Sequence, residues 1–138
     1  MSDDNVSPGF AEDAPDKIID HRDLDIWKTS MSPAGAVYRL TKLLPSDERF
    51  GLISQMRRAA VSIPANIAEG YGWQTSGSYL QFLRISQGSA RELKTLIELA
   101  GQLDYLKAAE RDPVIATVTR VAMMLRRLIQ AIERRKGK

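Results

Sequence analysis

The sequence predicts an all-α protein, an antiparallel up-down four-helix bundle that forms one domain. Apolar residues recur at steps of three and four along almost the whole chain after residue 23, which is typical of amphipathic helices. No segment alternates apolar and polar residues, and no hairpin turn signal occurs. The segments between the periodic stretches are short, and a chain of 138 residues is long enough to bury one core.

The first predicted helix follows the N-terminal tail and ends at Leu44-Pro45, because a proline disfavours helical backbone in the residue before it. Ser32 followed by Pro33 is typical of a helix start, so this pair predicts a break or kink, and Gly35 weakens the helix further. The apolar stripe of this helix comprises Trp27, Met31, Ala34, Val37, Tyr38 and Thr41.

The second predicted helix covers residues 47–71, with Ser46 as its N-cap. Pro64 lies inside it and bends it, and Gly70 and Gly72 end it. Its predicted apolar stripe comprises Phe50, Ile53, Met56, Ala60, Ile63 and Ile67.

The third predicted helix follows a turn at residues 75–78 and ends at Asp104-Tyr105. A small-residue patch centred on Gly88 predicts that another helix approaches closely there. The patch comprises Ser86, Gly88, Ser89 and Ala90. The apolar stripe has the spacing of a coiled coil and comprises Tyr79, Phe82, Leu83, Ser86, Ala90, Leu93, Ile97, Ala100 and Leu103.

Asp112-Pro113 predicts the start of the fourth helix, with a cap followed by proline. The predicted bundle covers residues 24–134, and residues 135–138 form a basic C-terminal end. The apolar stripe of this helix comprises Val114, Val118, Val121, Leu125, Leu128 and Ile132.

The formal charge is distributed unevenly between the tail and the body. Residues 1–23 hold seven acidic and two basic side chains, a net charge of −5, whereas the rest of the chain carries +8. We interpret residues 1–23 as a disordered acidic tail. It is either a solubilising extension or an intramolecular mimic of an acidic partner that folds back on the basic body.

The residue content excludes several classes of chemistry. The chain has no cysteine, and the single histidine, His21, is too few for a zinc site or a histidine-based triad. Glu69 and Glu92 are the candidate acid–base pair, but neither has a histidine three residues later, as carboxylate metal sites in bundles require. There is no P-loop, GxGxxG or HExxH motif. The sequence therefore predicts no enzymatic activity, no metal and no cofactor.

No apolar run approaches the roughly 20 residues that a membrane helix requires. The acidic N-terminus also lacks the basic and apolar regions of a secretory signal. We therefore expect a cytoplasmic protein with no membrane partner.

A polar stripe on the second helix has two interpretations. One is a structural hydrogen-bond network that joins helices or subunits. The other is a binding surface for a polar ligand or a backbone phosphate. The stripe comprises Gln55, Arg58, Ser62, Asn66 and Glu69.

Basic side chains on the second, third and fourth helices are the candidate nucleic-acid contacts, because guanidinium groups bind phosphate through two parallel hydrogen bonds. Tyr71 and Trp73 are the aromatic residues that could stack beside them. The alternative is an ordinary solvated face. The candidate residues are Arg57, Arg58, Arg84, Arg91, Lys94, Arg126 and Arg127.

A long motif in the body of the chain comprises Tyr38–Thr41, Leu44-Pro45, Glu48, Phe50–Leu52, Gln55, Arg57–Gly70, Gly88-Ser89, Glu92-Leu93, Thr95 and Leu103–Leu106. Through these residues the chain from about residue 24 to 132 resembles the bacterial four-helix-bundle family of intervening-sequence proteins. Some members are encoded within insertions in large-subunit ribosomal RNA genes. Trp73 departs from the pattern, since the family usually has a basic residue there.

The resemblance implies an antiparallel bundle that assembles into a ring, usually a homopentamer. More distantly, the chain is similar to the accessory protein of diversity-generating retroelements, a basic pentameric barrel that works with a reverse transcriptase and RNA. We therefore expect a non-enzymatic, ring-forming protein that associates with RNA or DNA, with a nucleic-acid enzyme as a further partner. The rival is a structural or protein-interaction scaffold. The structural motif residues are Ser62, Pro64, Asn66, Glu69, Gly70, Gly88 and Glu92.

Overall fold

The computed structural model describes His21 and residues 24–73 and 75–136. This part of the chain is all-α and contains no strand. Most of the predicted tail, residues 1–20 and 22–23, lies outside the described residues, as do the last two residues of the predicted basic end. The four α-helices are α1 (Asp25–Thr41), α2 (Ser54–Tyr71), α3 (Ser76–Gln102) and α4 (Ala108–Lys136).

The helices pack around one apolar core. Helix α1 packs against α2 and α4, and α3 packs against α2 and α4. The predicted stripes supply most of the buried residues, so burial of these side chains holds the four helices together. The largest fully buried side chains include Val37, Met56, Ile63, Ile67, Leu83, Leu93, Ile97, Val118, Val121, Leu125 and Ile132.

Helix α1 is continuous through Pro33, so the predicted break at this proline is wrong. Proline removes only one backbone donor, which would have bonded the carbonyl of Thr29. The ring of Pro33 is buried in the folded chain. Packing of the helix against its neighbours therefore outweighs the lost hydrogen bond.

The start of the second predicted helix is also different. A 3₁₀ turn (Ser46–Glu48) and a π-type turn (Arg49–Ile53) precede α2. The backbone of Gly51 has φ −107° and ψ −112°, outside the helical region. Side chains before Gly51 therefore point in other directions than a continuous helix would give them. As a result Phe50 is 88% exposed, and its predicted place in the apolar stripe is wrong.

The connection between α3 and α4 forms a Schellman motif. The backbone N–H of Tyr105 donates to the carbonyl of Ala100 at 3.0 Å, and that of Asp104 donates to the carbonyl of Gly101 at 3.0 Å. Asp104 has the left-handed φ of 63° that this motif requires. Leu103, predicted in the apolar stripe, is 47% exposed because α3 ends at Gln102.

Helix α4 begins at Ala108, four residues before the predicted start at Asp112. The backbone N–H of Lys107 donates to Oε1 of Glu110 at 2.8 Å, so Glu110 caps the helix. Pro113 then lies inside the helix rather than at its first position. Within the described ranges, no helix has an apolar stretch long enough to cross a membrane.

Candidate nucleic-acid interface

An open groove of about 500 Å³ lies where α1, the π-type turn and α2 meet. Among the described residues, three arginines and two aromatic rings line it, and no acidic side chain does. This combination suits an anionic ligand that also carries a flat ring. We call it the arginine groove, and its lining residues are Tyr38, Arg49, Phe50, Ile53, Ser54, Arg57, Arg58 and Val61.

Arg57 is held between α1 and α2. Its Nε donates to Oγ1 of the buried Thr41 at 2.8 Å, and its guanidinium lies 4.6 Å from the ring centroid of Tyr38. The Thr41 hydroxyl in turn donates to the Tyr38 carbonyl at 3.1 Å. Arg57 therefore fixes the two helices to each other and places a positive charge in the groove.

Arg49 and Arg58 carry the other two positive charges of the arginine groove. Both side chains are exposed. The Arg49 guanidinium lies 5.6 Å from the ring centroid of Phe50, and Arg58 makes no hydrogen bond or ion pair with another described residue. Their donors can therefore bind an incoming phosphate without first breaking an internal ion pair.

Glu48 anchors the turn that carries Arg49 and Phe50. Its Oε1 accepts a hydrogen bond from the backbone N–H of Leu52 at 3.1 Å, and its Oε2 accepts one from the Tyr105 hydroxyl at 3.1 Å. The hydrogen bond to Glu48 raises the pKa of Tyr105 above its ordinary value. The π-type turn is thereby tied to the connection between α3 and α4.

The other predicted basic contacts lie on α3 and α4, outside the arginine groove. Arg84 forms an ion pair with Glu133, which joins α3 to α4. Lys94 is half-buried. Arg84 is exposed despite this ion pair, as are Arg91, Arg126 and Arg127. Of the seven predicted contacts, the structure brings only Arg57 and Arg58 together in the groove.

Part of the polar stripe forms a hydrogen-bond network. Nδ2 of Asn66 donates to the Ser62 carbonyl at 2.8 Å and to its hydroxyl at 2.9 Å. The Ser62 and Ser89 hydroxyls share a hydrogen bond of 2.8 Å, which joins α2 to α3. Arg58 and Glu69 are exposed and take no part in this network.

Ser86, at the start of the small-residue patch, makes a second polar contact between α2 and α3. It is fully buried, and its hydroxyl donates to the carbonyl of Ile63 at 2.9 Å. Ile63 directly precedes Pro64, which is buried inside the continuous helix α2. Glu92, the remaining structural motif residue on α3, is exposed.

The close-packed glycine is Gly70 rather than Gly88. A Cβ at Gly70 would lie 2.7 Å from Cβ of Phe82 and 3.0 Å from Cδ1 of Tyr79. At Gly88 a Cβ would meet nothing within 4 Å, so no helix of the same chain packs closely there. The small-residue patch is thus open at Gly88, although Ser89 beside it is buried.

The aromatic residues predicted to stack on a ligand instead contact α3. The Trp73 ring stacks on Phe82 with centroids 6.1 Å apart and an interplanar angle of 17°. Tyr71 meets Tyr79 edge-on at 6.2 Å. The more exposed of the two rings in the arginine groove is Phe50, at 88% against 43% for Tyr38, although the helical periodicity places Phe50 in the core. Its direct neighbour Gly51 was the one local signal that the helix does not run through this position.

No three side chains of the metal-binding types come together in the described part of the chain. The helical arrangement and the basic groove define an all-α, helical-bundle protein with a surface suited to an anionic ligand. The sequence model of the 23S rRNA-intervening sequence protein family matches residues 22–127, and the chain belongs to this family.

A solved structure shares the fold. It is the 1.70 Å crystal structure of a protein with unknown function from the S23 ribosomal protein family of Bacteroides thetaiotaomicron VPI-5482. The TM-score is 0.70 at 24% sequence identity, over 75% of this chain and 97% of the other. No curated protein matches the chain.

Proposed function

We propose that the protein associates with structured RNA or DNA through exposed arginines, and that it is a non-enzymatic, ring-forming protein of the cytoplasm. The observation that carries the proposal is the arginine groove, which three arginines and no acidic side chain line. Phosphate contacts of this kind give binding that depends strongly on salt and only weakly on sequence.

The charge of the body supports a polyanion as the partner. Outside residues 1–23 the chain carries a net charge of +8, so the body attracts nucleic acid at low ionic strength. The family description names 23S rRNA, which makes a structured ribosomal RNA the first ligand to test. A nucleic-acid enzyme bound to the same RNA is the further partner that we propose.

An antiparallel up-down bundle is the architecture that we propose for each protomer. The cross-helix contacts support it, because the residue number rises on one helix as it falls on the other. Ser62 contacts Ser89 while Gly70 lies against Phe82. In the same way Arg84 pairs with Glu133, whereas Gly101 lies beside Arg111 further along.

We further propose that the protomers assemble into a homopentameric ring. Apolar side chains that remain about half exposed support subunit contacts: Ile85 and Leu99 on α3, and Met123 on α4. A ring repeats each arginine groove, so the avidity of several weak contacts replaces one strong site.

Filter binding to a structured RNA at low and high salt tests the nucleic-acid proposal. We expect the double substitution Arg49→Ala with Arg58→Ala to weaken binding to all RNA sequences about equally and to flatten the salt dependence. The matched control is Arg120→Ala with Arg134→Ala, which removes the same charge from exposed positions of α4 outside the candidate contacts. Absence of binding at low salt by the unsubstituted protein would refute the proposal.

The alternative function is a scaffold that binds no nucleic acid. Two internal arginine contacts favour it: Arg57 bonds Thr41, and Arg84 pairs with Glu133. In that case the arginines of the groove would take part in contacts between subunits. The double groove variant would then change the mass measured by light scattering.

A further inference from the structure

We propose that Phe50 is a stacking platform for an unpaired base, so that the arginine groove selects single-stranded segments over duplex. This inference rests on the proposed function and names its ligand more closely. The ligand class is a nucleotide whose base is unpaired and whose phosphates are available on both sides.

The exposure of Phe50 is the first argument. Its side chain is 88% exposed, the highest value among the large apolar residues that remain at the surface. The backbone of Gly51 turns this ring outward, and the Arg49 guanidinium lies 5.6 Å from its centroid. A ring with so much free surface can stack on a base, which is a sequence-tolerant contact because every base has a π-face.

The support beneath Phe50 is the second argument. Glu48 accepts hydrogen bonds from the backbone N–H of Leu52 and from the Tyr105 hydroxyl, both at 3.1 Å. These bonds join the two sides of the turn and attach it to another part of the fold. A ring on an anchored turn loses less conformational entropy on binding than a ring on a loose loop.

The neighbouring charges are the third argument. Arg49 and Arg58 line the same groove as Phe50 and are exposed. Single strands present bases and phosphates to one surface together, and proteins bind them through basic grooves with aromatic platforms. A duplex keeps its bases stacked inside, so it can reach the arginines but not the face of Phe50.

Charge complementarity argues against a second copy of the chain as the occupant. In the proposed ring the groove of one subunit would face the body of its neighbour, which carries a net charge of +8. A polyanion neutralises these charges instead. We therefore assign the groove to a single-stranded nucleic acid.

The test measures fluorescence anisotropy of a labelled oligouridine of about 12 nucleotides, an RNA duplex of matched length and an oligodeoxythymidine. We expect Phe50→Ala to weaken oligouridine binding about 5- to 150-fold, the range for loss of one base–aromatic stack, and to leave duplex binding within about two-fold. We expect Phe50→Trp to retain oligouridine binding, because tryptophan also has a π-face. Phe50→Leu should weaken it as Phe50→Ala does, because leucine has none. Met31→Ala, at another exposed apolar position, is the matched control and changes neither affinity. Equal effects on the RNA and DNA strands show that the base stack, rather than the 2′-hydroxyl, is recognised.

The outcomes separate this inference from the proposed function. Salt-dependent binding that is equal for single strand and duplex and insensitive to Phe50→Ala overturns the inference and leaves the proposed function standing. Absence of binding to every probe at low salt overturns both. A lower mass of Phe50→Ala in light scattering identifies Phe50 as a subunit contact and also overturns the inference.

Discussion

The Tyr105 hydroxyl donates a hydrogen bond of 3.1 Å to Oε2 of Glu48, a residue 57 positions earlier in the chain. The other carboxylate oxygen of Glu48 accepts from the backbone N–H of Leu52. The Glu48 side chain thus joins the loop between α3 and α4 to the turn that carries Phe50. Glu48 and Tyr105 come from two separate segments of the motif that carries the family resemblance, and these segments meet at this contact.

Substitution Tyr105→Phe removes this hydrogen bond with little change in shape. We expect a lower melting temperature and weaker single-strand binding, because the turn under Phe50 loses its attachment. Thermal unfolding followed by circular dichroism measures the first effect and anisotropy the second. The conservative control is Tyr38→Phe, whose ring still lies beneath the Arg57 guanidinium. Unchanged unfolding and unchanged binding in Tyr105→Phe would contradict the role assigned to this bond.

The same contact predicts a pH dependence. The hydrogen bond to Glu48 raises the pKa of Tyr105 in the folded state above the ordinary value of about 10. Its stabilisation is therefore fully present below pH about 10 and is lost as the pH rises through the folded-state pKa. The difference in melting temperature between the unsubstituted protein and Tyr105→Phe should be constant near neutral pH and shrink in strong alkali. A difference that stayed constant into strong alkali would contradict this assignment.

Gly70→Ala should destabilise the fold by about 1–3 kcal/mol, because its Cβ would overlap Phe82 and crowd Tyr79. Gly35→Ala is the matched control within a helix. A Cβ there would have its nearest contact at 3.6 Å, with the end of the Arg39 side chain. That substitution should raise stability by up to about 1 kcal/mol through helix propensity. Chemical denaturation of both variants gives the comparison, and equal effects would contradict the close approach at Gly70.

Gly88→Leu tests whether a neighbouring subunit covers the open end of the small-residue patch. Since a Cβ at Gly88 meets nothing within 4 Å in its own chain, the helical content should be unchanged. In the proposed ring the added side chain blocks the contact between subunits. Light scattering should therefore report a smaller assembly than for the unsubstituted protein, with Gln81→Leu as the control at an exposed position of the same helix. An unchanged mass would place Gly88 in solvent.

Deletion of residues 1–20 should raise RNA affinity at low salt if the acidic tail competes with nucleic acid for the basic body. The gain should shrink as salt rises, because the Debye length falls from ~10 Å at 0.1 M to ~3 Å at 1 M. A salt titration of binding measures it. A control variant keeps the tail but has its Asp and Glu residues changed to Asn and Gln. It separates the effect of the tail's charge on RNA affinity from the effect of its bulk. If deletion changes affinity equally at both salt concentrations, the tail is a passive extension.

Local periodicity was enough to predict four helices and most of their buried residues. A helix repeats every 3.6 residues whatever it packs against, so the stripes that contain Ile63, Leu93 and Leu125 could be recognised without knowledge of their partners. Segments with one strong apolar face also have to bury it together, which is why a helical bundle followed from the spacing.

The tertiary structure decided where that periodicity stops and which polar groups meet. Pro33 stays inside a helix because burial outweighs one lost bond, and Glu110 moves the start of α4 through a side-chain cap. The backbone of Gly51 turns Phe50 out of the core. Contacts between residues far apart in the sequence, such as Glu48 with Tyr105, depend on how the helices and turns pack. A local sequence pattern does not predict which of these residues meet. The sequence by itself therefore determined the helices and their inner faces, whereas packing alone decided the arginine groove, because its residues come from three elements that meet only in the folded chain.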